Sequence, residues 1–257
     1  MLKRARRSKD LAVEGKKAVQ YDEFSRQYRM SDLKEYASLA ATYVPDGGSV
    51  LDVATGPGYF CTELARLGNF RITGLDISQD LVEIALANAS QAGVDVDFLH
   101  GNASSMEFPD AAFDLVFCSW AMKNFTDPAK VLVEIYRVLK PGGTALVIDL
   151  NHEATVQEWN QYASSRQLKG MTALSMKLAF RIQRSGAYSR GQFDAMVRDT
   201  PFSSSDIQGM GINLCLLLPK GSARHSAPAS TSGHRAGGNC RTSASSGRRE
   251  RYPSASV

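Results

Sequence analysis

The stretch Val50-Leu51-Asp52-Val53-Ala54-Thr55-Gly56-Pro57-Gly58-Tyr59-Phe60 decides the fold. Val50, Leu51 and Val53 suit a buried parallel strand. Thr55 to Gly58 cannot continue it, because glycine is conformationally free and Pro57 has no N–H for the ladder. From Cys61 onward Leu64, Ala65 and Leu67 recur at helical spacing. The turn therefore opens a helix whose unpaired N–H groups point back across it, a cradle of nucleotide-binding type.

Working outward, strands and helices alternate. Residues 19–43 read as one helical stretch, with Tyr21, Phe24 and Tyr28 on one face. Asp46-Gly47-Gly48 turns into the first strand, 49–53. A second strand is expected at 71–76, an amphipathic helix at 79–92, a third strand at 96–100 and a fourth at 115–118. Asp127-Pro128 starts a helix that ends at Lys140-Pro141-Gly142-Gly143, and a fifth strand follows at 144–150. The last helix is expected at 192–199, with strands at 204–208 and 212–218. Such alternation predicts right-handed crossovers and an α/β, doubly wound parallel sheet, with ligands at the carboxyl ends of the strands.

The chain has 257 residues, room for one large domain. Its net charge is +4, but residues 1–9 carry +5 and residues 221–257 another +5, which leaves −6 on residues 10–220. The domain offers no basic stripe, so no nucleic-acid partner is expected. Residues 1–18 read as a basic N-terminal extension, and the Ser-, Arg- and Gly-rich segment 221–257 as a disordered tail with too few large apolar residues to order itself. Cys61, Cys118, Cys215 and Cys240 are dispersed without any C-x-x-C pair, so neither a metal site nor a disulfide framework is expected. No apolar run is long enough to span a bilayer, which leaves a cytoplasmic place, with association at a membrane surface open.

Spacing narrows the ligand. A G-x-G-x-x-G fingerprint begun at Gly56 needs glycine at position 61, where Cys61 stands, and no Gly-Lys-Ser/Thr follows for a P-loop.

The segments V-L-D-V-A-T-G-P-G, G-L-D-I-S, G-N-A-S-S-M-E-F-P-D-A-A-F-D-L-V and R-V-L-K-P-G-G follow one another in this order. Together they resemble the class I S-adenosylmethionine-dependent methyltransferases over residues 19–220. The A-T-G variant and residues 121–127 are most similar to the type 11 and ubiquinone/menaquinone-biosynthesis branches. The resemblance implies a Rossmann-like seven-stranded sheet, mostly parallel with an antiparallel last strand, and S-adenosylmethionine as cofactor. It implies that Asp52 organises the loop at the ammonium end of the cofactor, and that Ala54, Gly56 and Gly58 let backbone approach it, Ala54 standing where glycine is usual. Asp76 is implied to accept from both ribose hydroxyls, with Ile77 against the adenine; capping of the next helix is the alternative reading of Asp76. Asn102 stands where the family commonly has Asp and is implied to accept from the adenine amino group, with the Ala103 N–H beside it and Ser119 along the methionine part.

Tyr21 has two readings, a core-facing ring or a ring against the cationic sulfonium. His152, directly after the fifth strand, is a candidate general base, against the commoner reading of a lone loop histidine as a solvated residue. His100 is expected near the adenine edge. The apolar segment 153–183 reads either as a roof over a small-molecule acceptor, apolar or aromatic, or as ordinary core. A non-catalytic cofactor-binding scaffold and a nicotinamide-dependent oxidoreductase are the competing classes. Nothing in the residues speaks to oligomeric state.

Overall fold

The computed structural model describes residue 10, residues 12–202 and residues 204–221. The basic residues 1–9, the tail from residue 222 and Cys240 lie outside the described residues. In chain order the elements are α1 (Lys16–Tyr28), α2 (Met30–Ala41), β1 (Ser49–Val53), α3 (Tyr59–Ala65), β2 (Arg71–Asp76), α4 (Gln79–Ala92), β3 (Asp97–His100) and β4 (Phe113–Ser119). Then come α5 (Pro128–Val138), β5 (Leu139–Leu150), α6 (Val156–Ser165), α7 (Gly170–Ser185), α8 (Arg190–Arg198), β6 (Asp206–Met210) and β7 (Asn213–Pro219).

The strands form one seven-stranded sheet in the order β3-β2-β1-β4-β5-β7-β6. β4 lies at its centre, β1 beside it runs parallel to β4 on one side and to β2 on the other, and β7 runs antiparallel to both β5 and β6. This is the expected doubly wound architecture with its antiparallel last strand. Side chains alternate between faces along each strand. On β4, Val116 and Cys118 join Val131, Ile135, Phe193 and Val197 of α5 and α8 on one face. Leu115 and Phe117 join Tyr36, Phe60, Leu64 and Val82 of α2, α3 and α4 on the other. Burial on both faces explains why β1 and β4 read as nearly continuous apolar runs.

Four expectations need correction. The helical stretch 19–43 is two helices, broken at Arg29, whose φ of −110° and ψ of −11° depart from regular helix values. The break redirects the chain so that α2 packs on the sheet while Arg29 reaches the Trp120 ring, 4.4 Å away. Second, α5 ends at Val138 and β5 already begins at Leu139, because Leu139 pairs with Phe113 before a register shift in β4. Gly142, at φ +84°, and Gly143 therefore lie within the strand's irregular start. Third, residues 13–18 of the expected N-terminal extension pack on the domain, and α1 begins within them at Lys16. Ser78 donates to the Val13 carbonyl and the Glu14 carboxylate accepts from the Gln79 and Asp80 amides, so this segment docks on the α4 N-terminus. Fourth, β6 lies two residues further along than expected, with its turn at Gly211, φ +58°.

Candidate active site

The carboxyl ends of β1, β2, β4 and β5 open into one cavity of about 520 Å³. Ala54 and Gly56 of the loop after β1 form its floor, with Asp76 and Ile77 beside them, and Asn102, Ala103 and Ser119 at the ends of the neighbouring strands. Tyr21, Phe24, Tyr28 and Arg29 close it from α1. Trp159 and Tyr162 of α6 with Met176 and Phe180 of α7 close it from the far side.

The loop after β1 is held from below. The Gly56 N–H donates to Asp76 Oδ2 at 2.8 Å, and the Ser78 N–H donates to Asp76 Oδ1 at 2.9 Å. Burial raises the Asp76 pKa, and these two amides pull the other way. The helix-cap reading of Asp76 fails, because Ser78 is the cap and its hydroxyl accepts from the Leu81 N–H. Each Asp76 oxygen retains a lone pair for a ligand.

Asp52 does not line this cavity. It sits under the loop, 3% exposed, and accepts from the Thr55 hydroxyl at 2.7 Å and the Cys61 thiol at 3.4 Å. Burial pushes its pKa up to about 7. It borders a narrow recess shared with Tyr21, Arg29 and Ser119. Cys61, at the place of a third fingerprint glycine, is thus a partner of Asp52.

The three small residues of the loop have three different reasons. Ala54 holds a left-handed φ of +59°, a conformation costly for a residue with a Cβ. Gly56, φ +58°, faces the cavity, where a Cβ would lie 3.2 Å from the Tyr21 ring. Gly58, φ +78°, faces inward instead, and a Cβ there would lie 2.7 Å from Phe98 and 2.9 Å from Ala85. Its smallness serves packing between α3, α4 and β3, not approach to a ligand.

Asn102 Oδ1 accepts from the Ser104 N–H at 2.7 Å, which aims the side chain and leaves it one free lone pair. His100 is exposed, its Nε2 3.1 Å from the Ile77 carbonyl, and it is not among the cavity-lining residues. His152 is exposed too, held at 3.1 Å to the Arg184 carbonyl and outside the cavity lining. Asn151, just past the strand, bridges to Tyr188, and the His152 ring lies at Arg184 and not on the cavity wall.

A sequence profile described as a methyltransferase domain matches residues 51–147. The demethylmenaquinone methyltransferase of Listeria monocytogenes serotype 4a (strain HCC23) is 36% identical over 121 residues, 46% of this chain and 51% of that protein. The ubiquinone/menaquinone biosynthesis C-methyltransferase of Marinomonas sp. (strain MWYL1) is 32% identical over 144 residues, 53% of this chain and 57% of that one. Over this part of its length the chain is similar to S-adenosylmethionine-dependent methyltransferases of quinone biosynthesis. Its match spans about half the length of these curated relatives. The methyltransferase fold recurs in a SAM-dependent methyltransferase from Aquifex aeolicus, with a TM-score of 0.59, 18% identity, and 79% and 97% of the two chains covered. It recurs also in the 4+2 cyclase SpnF, with a TM-score of 0.53, 21% identity, and 84% and 100% covered.

Sequence reasoning missed several residues of this cavity. Arg29 is 4% exposed, and its Nε and Nη2 have no hydrogen-bond partner among the described residues. Its Nη1 donates to the Tyr21 hydroxyl at 3.3 Å, and its guanidinium stacks on Trp120. Trp120 itself is held at φ +54°, a strained conformation of the kind that gathers at functional sites. The cation directly after Tyr28, at the end of the aromatic run from Tyr21, was the available signal for Arg29. For Trp120 it was the place directly after Ser119 at a strand end.

Proposed function

We propose that the protein transfers a methyl group from S-adenosylmethionine to a small apolar or aromatic acceptor. One observation carries the reading: a single cavity holds on one wall a buried carboxylate, Asp76, with spare lone pairs, and on another a buried guanidinium, Arg29, with two unpartnered nitrogens. A buried unpaired cation is costly, and a ligand carboxylate would complete it with bidentate hydrogen bonds. S-adenosylmethionine has a ribose diol for the first and a carboxylate for the second, so the residues present fit it.

When bound, that cofactor supplies an electrophilic methyl group on a sulfonium. The chain's own residues then bind and align. Asp76 takes the ribose hydroxyls, Ile77 the adenine face, and Asn102 with the Ala103 N–H the adenine edge. Arg29 holds the carboxylate, Asp52 lies toward the ammonium end beneath the loop, and Gly56 and Ser119 border the methionine part. Tyr21, already tied to Arg29, turns its ring toward the sulfonium. Trp159, Tyr162, Met176 and Phe180 form the roof. Aromatic rings here suit an aromatic acceptor and exclude water from an in-line displacement, where orientation is worth up to roughly 7–11 kcal/mol. The quinone-pathway names of the relatives point to the same class of acceptor. His152 has no part in this scheme.

A cytoplasmic setting goes with the three free buried thiols, Cys61, Cys118 and Cys215. Among the described residues no helix is long and apolar enough to cross a membrane.

The test combines calorimetric titration of S-adenosylmethionine with mass-spectrometric detection of S-adenosylhomocysteine against a panel of phenols, hydroquinones and small amines. Binding together with turnover on an aromatic acceptor is expected. Binding with no turnover on any acceptor would make the protein a scaffold, and tight NADH binding without S-adenosylmethionine binding would make it an oxidoreductase.

A further inference from the structure

The inner side of α7 lines the cavity through Met176 and Phe180, and its outer side carries an apolar stripe that is exposed among the described residues. Met171, Leu174, Leu178 and Ile182 are 78%, 61%, 61% and 66% exposed. Steps of three, four and four residues place them on one side of the helix. Four large side chains in one exposed row are more than the scattered apolar residues of an ordinary surface, and such rows mark interaction sites.

The charge around the stripe says what covers it. Residues 10–220 carry −6, yet residues 159–193 contain no Asp or Glu and six cations, Arg166, Lys169, Lys177, Arg181, Arg184 and Arg190. Arg166 is spent on Asp32 and Glu35, Arg184 on the Ala154 carbonyl, and Arg190 on the Ile207 carbonyl. Lys169, Lys177 and Arg181 make no ion pair among the described residues. By helical spacing Lys177 and Arg181 flank the stripe. An apolar row bordered by unneutralised cations is the pattern of a helix that lies in a lipid interface, the row among acyl chains and the cations at anionic headgroups. A second copy fits less well, because a two-fold contact sets a patch against itself and would oppose these cations to their own copies.

We propose that the outer face of α7 docks the protein on an anionic membrane surface. The docking goes beyond the methyl-transfer reading and does not depend on it. It sets the helix that closes the cavity against the bilayer, where apolar acceptors concentrate.

The test is sedimentation of the full chain with phosphatidylcholine vesicles, with and without about one quarter phosphatidylglycerol. The wild type should bind the anionic vesicles and release as salt rises. Leu174→Ser/Leu178→Ser should lower its partition by about tenfold or more, and Lys177→Gln/Arg181→Gln by a similar factor on anionic vesicles only. All four positions lie outside the core, so melting temperature and S-adenosylmethionine affinity should stay at wild-type values. Both variants keep the basic termini, so vesicle binding left unchanged by either pair would overturn the proposal. So would a wild-type dimer in sedimentation velocity that the leucine pair converts to monomer while no form binds vesicles.

Discussion

The backbone N–H of Gly56 donates to the carboxylate of Asp76 across 2.8 Å, which ties the loop after β1 to the end of β2. One carboxylate thus shapes the floor of the cavity and offers its remaining lone pairs to whatever the floor holds.

Asp76→Asn keeps the size of the side chain and removes one acceptor oxygen. Hydrogen bonds to a charged group are worth about 1.5–3 kcal/mol each, so S-adenosylmethionine affinity should fall about 10- to 100-fold in calorimetric titration. Unchanged affinity would remove Asp76 from the site.

Arg29→Met separates binding from stability. It removes a buried cation with two unpartnered nitrogens, so the melting temperature of the ligand-free protein should hold or rise, despite the lost stacking on Trp120. The dissociation constant for S-adenosylmethionine should rise by about tenfold or more, while that for adenosine should hardly change. An equal loss for both ligands would place Arg29 elsewhere than at the carboxylate.

Ala54 and Gly58 should respond in opposite directions. Ala54→Gly releases a left-handed Cβ and should stabilise by about 0.5–1 kcal/mol in urea denaturation. Gly58→Ala adds both a left-handed Cβ and a clash with Phe98, and should cost about 2–4 kcal/mol. Phe98→Leu should recover part of that loss, which a purely conformational penalty would not allow.

Asp52 sets a slope of stability with pH. Its pKa is about 7 in the folded chain against an ordinary 3.8, so between these values the folded state holds a proton that the unfolded state has released. The unfolded state binds fewer protons there, and stability falls as pH rises through this window. Asp52→Asn should flatten that slope and gain most above pH 7, read from denaturation midpoints at stepped pH. A slope equal to that of the wild type would assign the proton to another group.

The order of elements and the place of the site were legible in the residues, because both rest on local rules. Buried parallel strands show as apolar runs, helices as 3.6-residue periodicity, and the end of a strand as glycine and proline. β1, β2 and α4 lie at the expected residues, and Gly56, Asp76, Ile77, Asn102, Ala103, Ser119 and Tyr21 do line one cavity.

By itself the sequence determined the doubly wound sheet and the strand ends at which a ligand would sit. Only the tertiary structure decided what faces that place. It put Asp52 beneath the loop and His152 outside the cavity, gave Gly58 to Phe98, and broke one helical run at Arg29 so that its guanidinium reaches the cavity wall. It also turned one side of α7 inward and left Leu174 and Leu178 uncovered. The physical reason is one of range. Backbone propensity and hydrophobic period act over a few residues along the chain, whereas the direction and partners of a side chain depend on residues up to well over a hundred positions away, as for Tyr162 and Asp32.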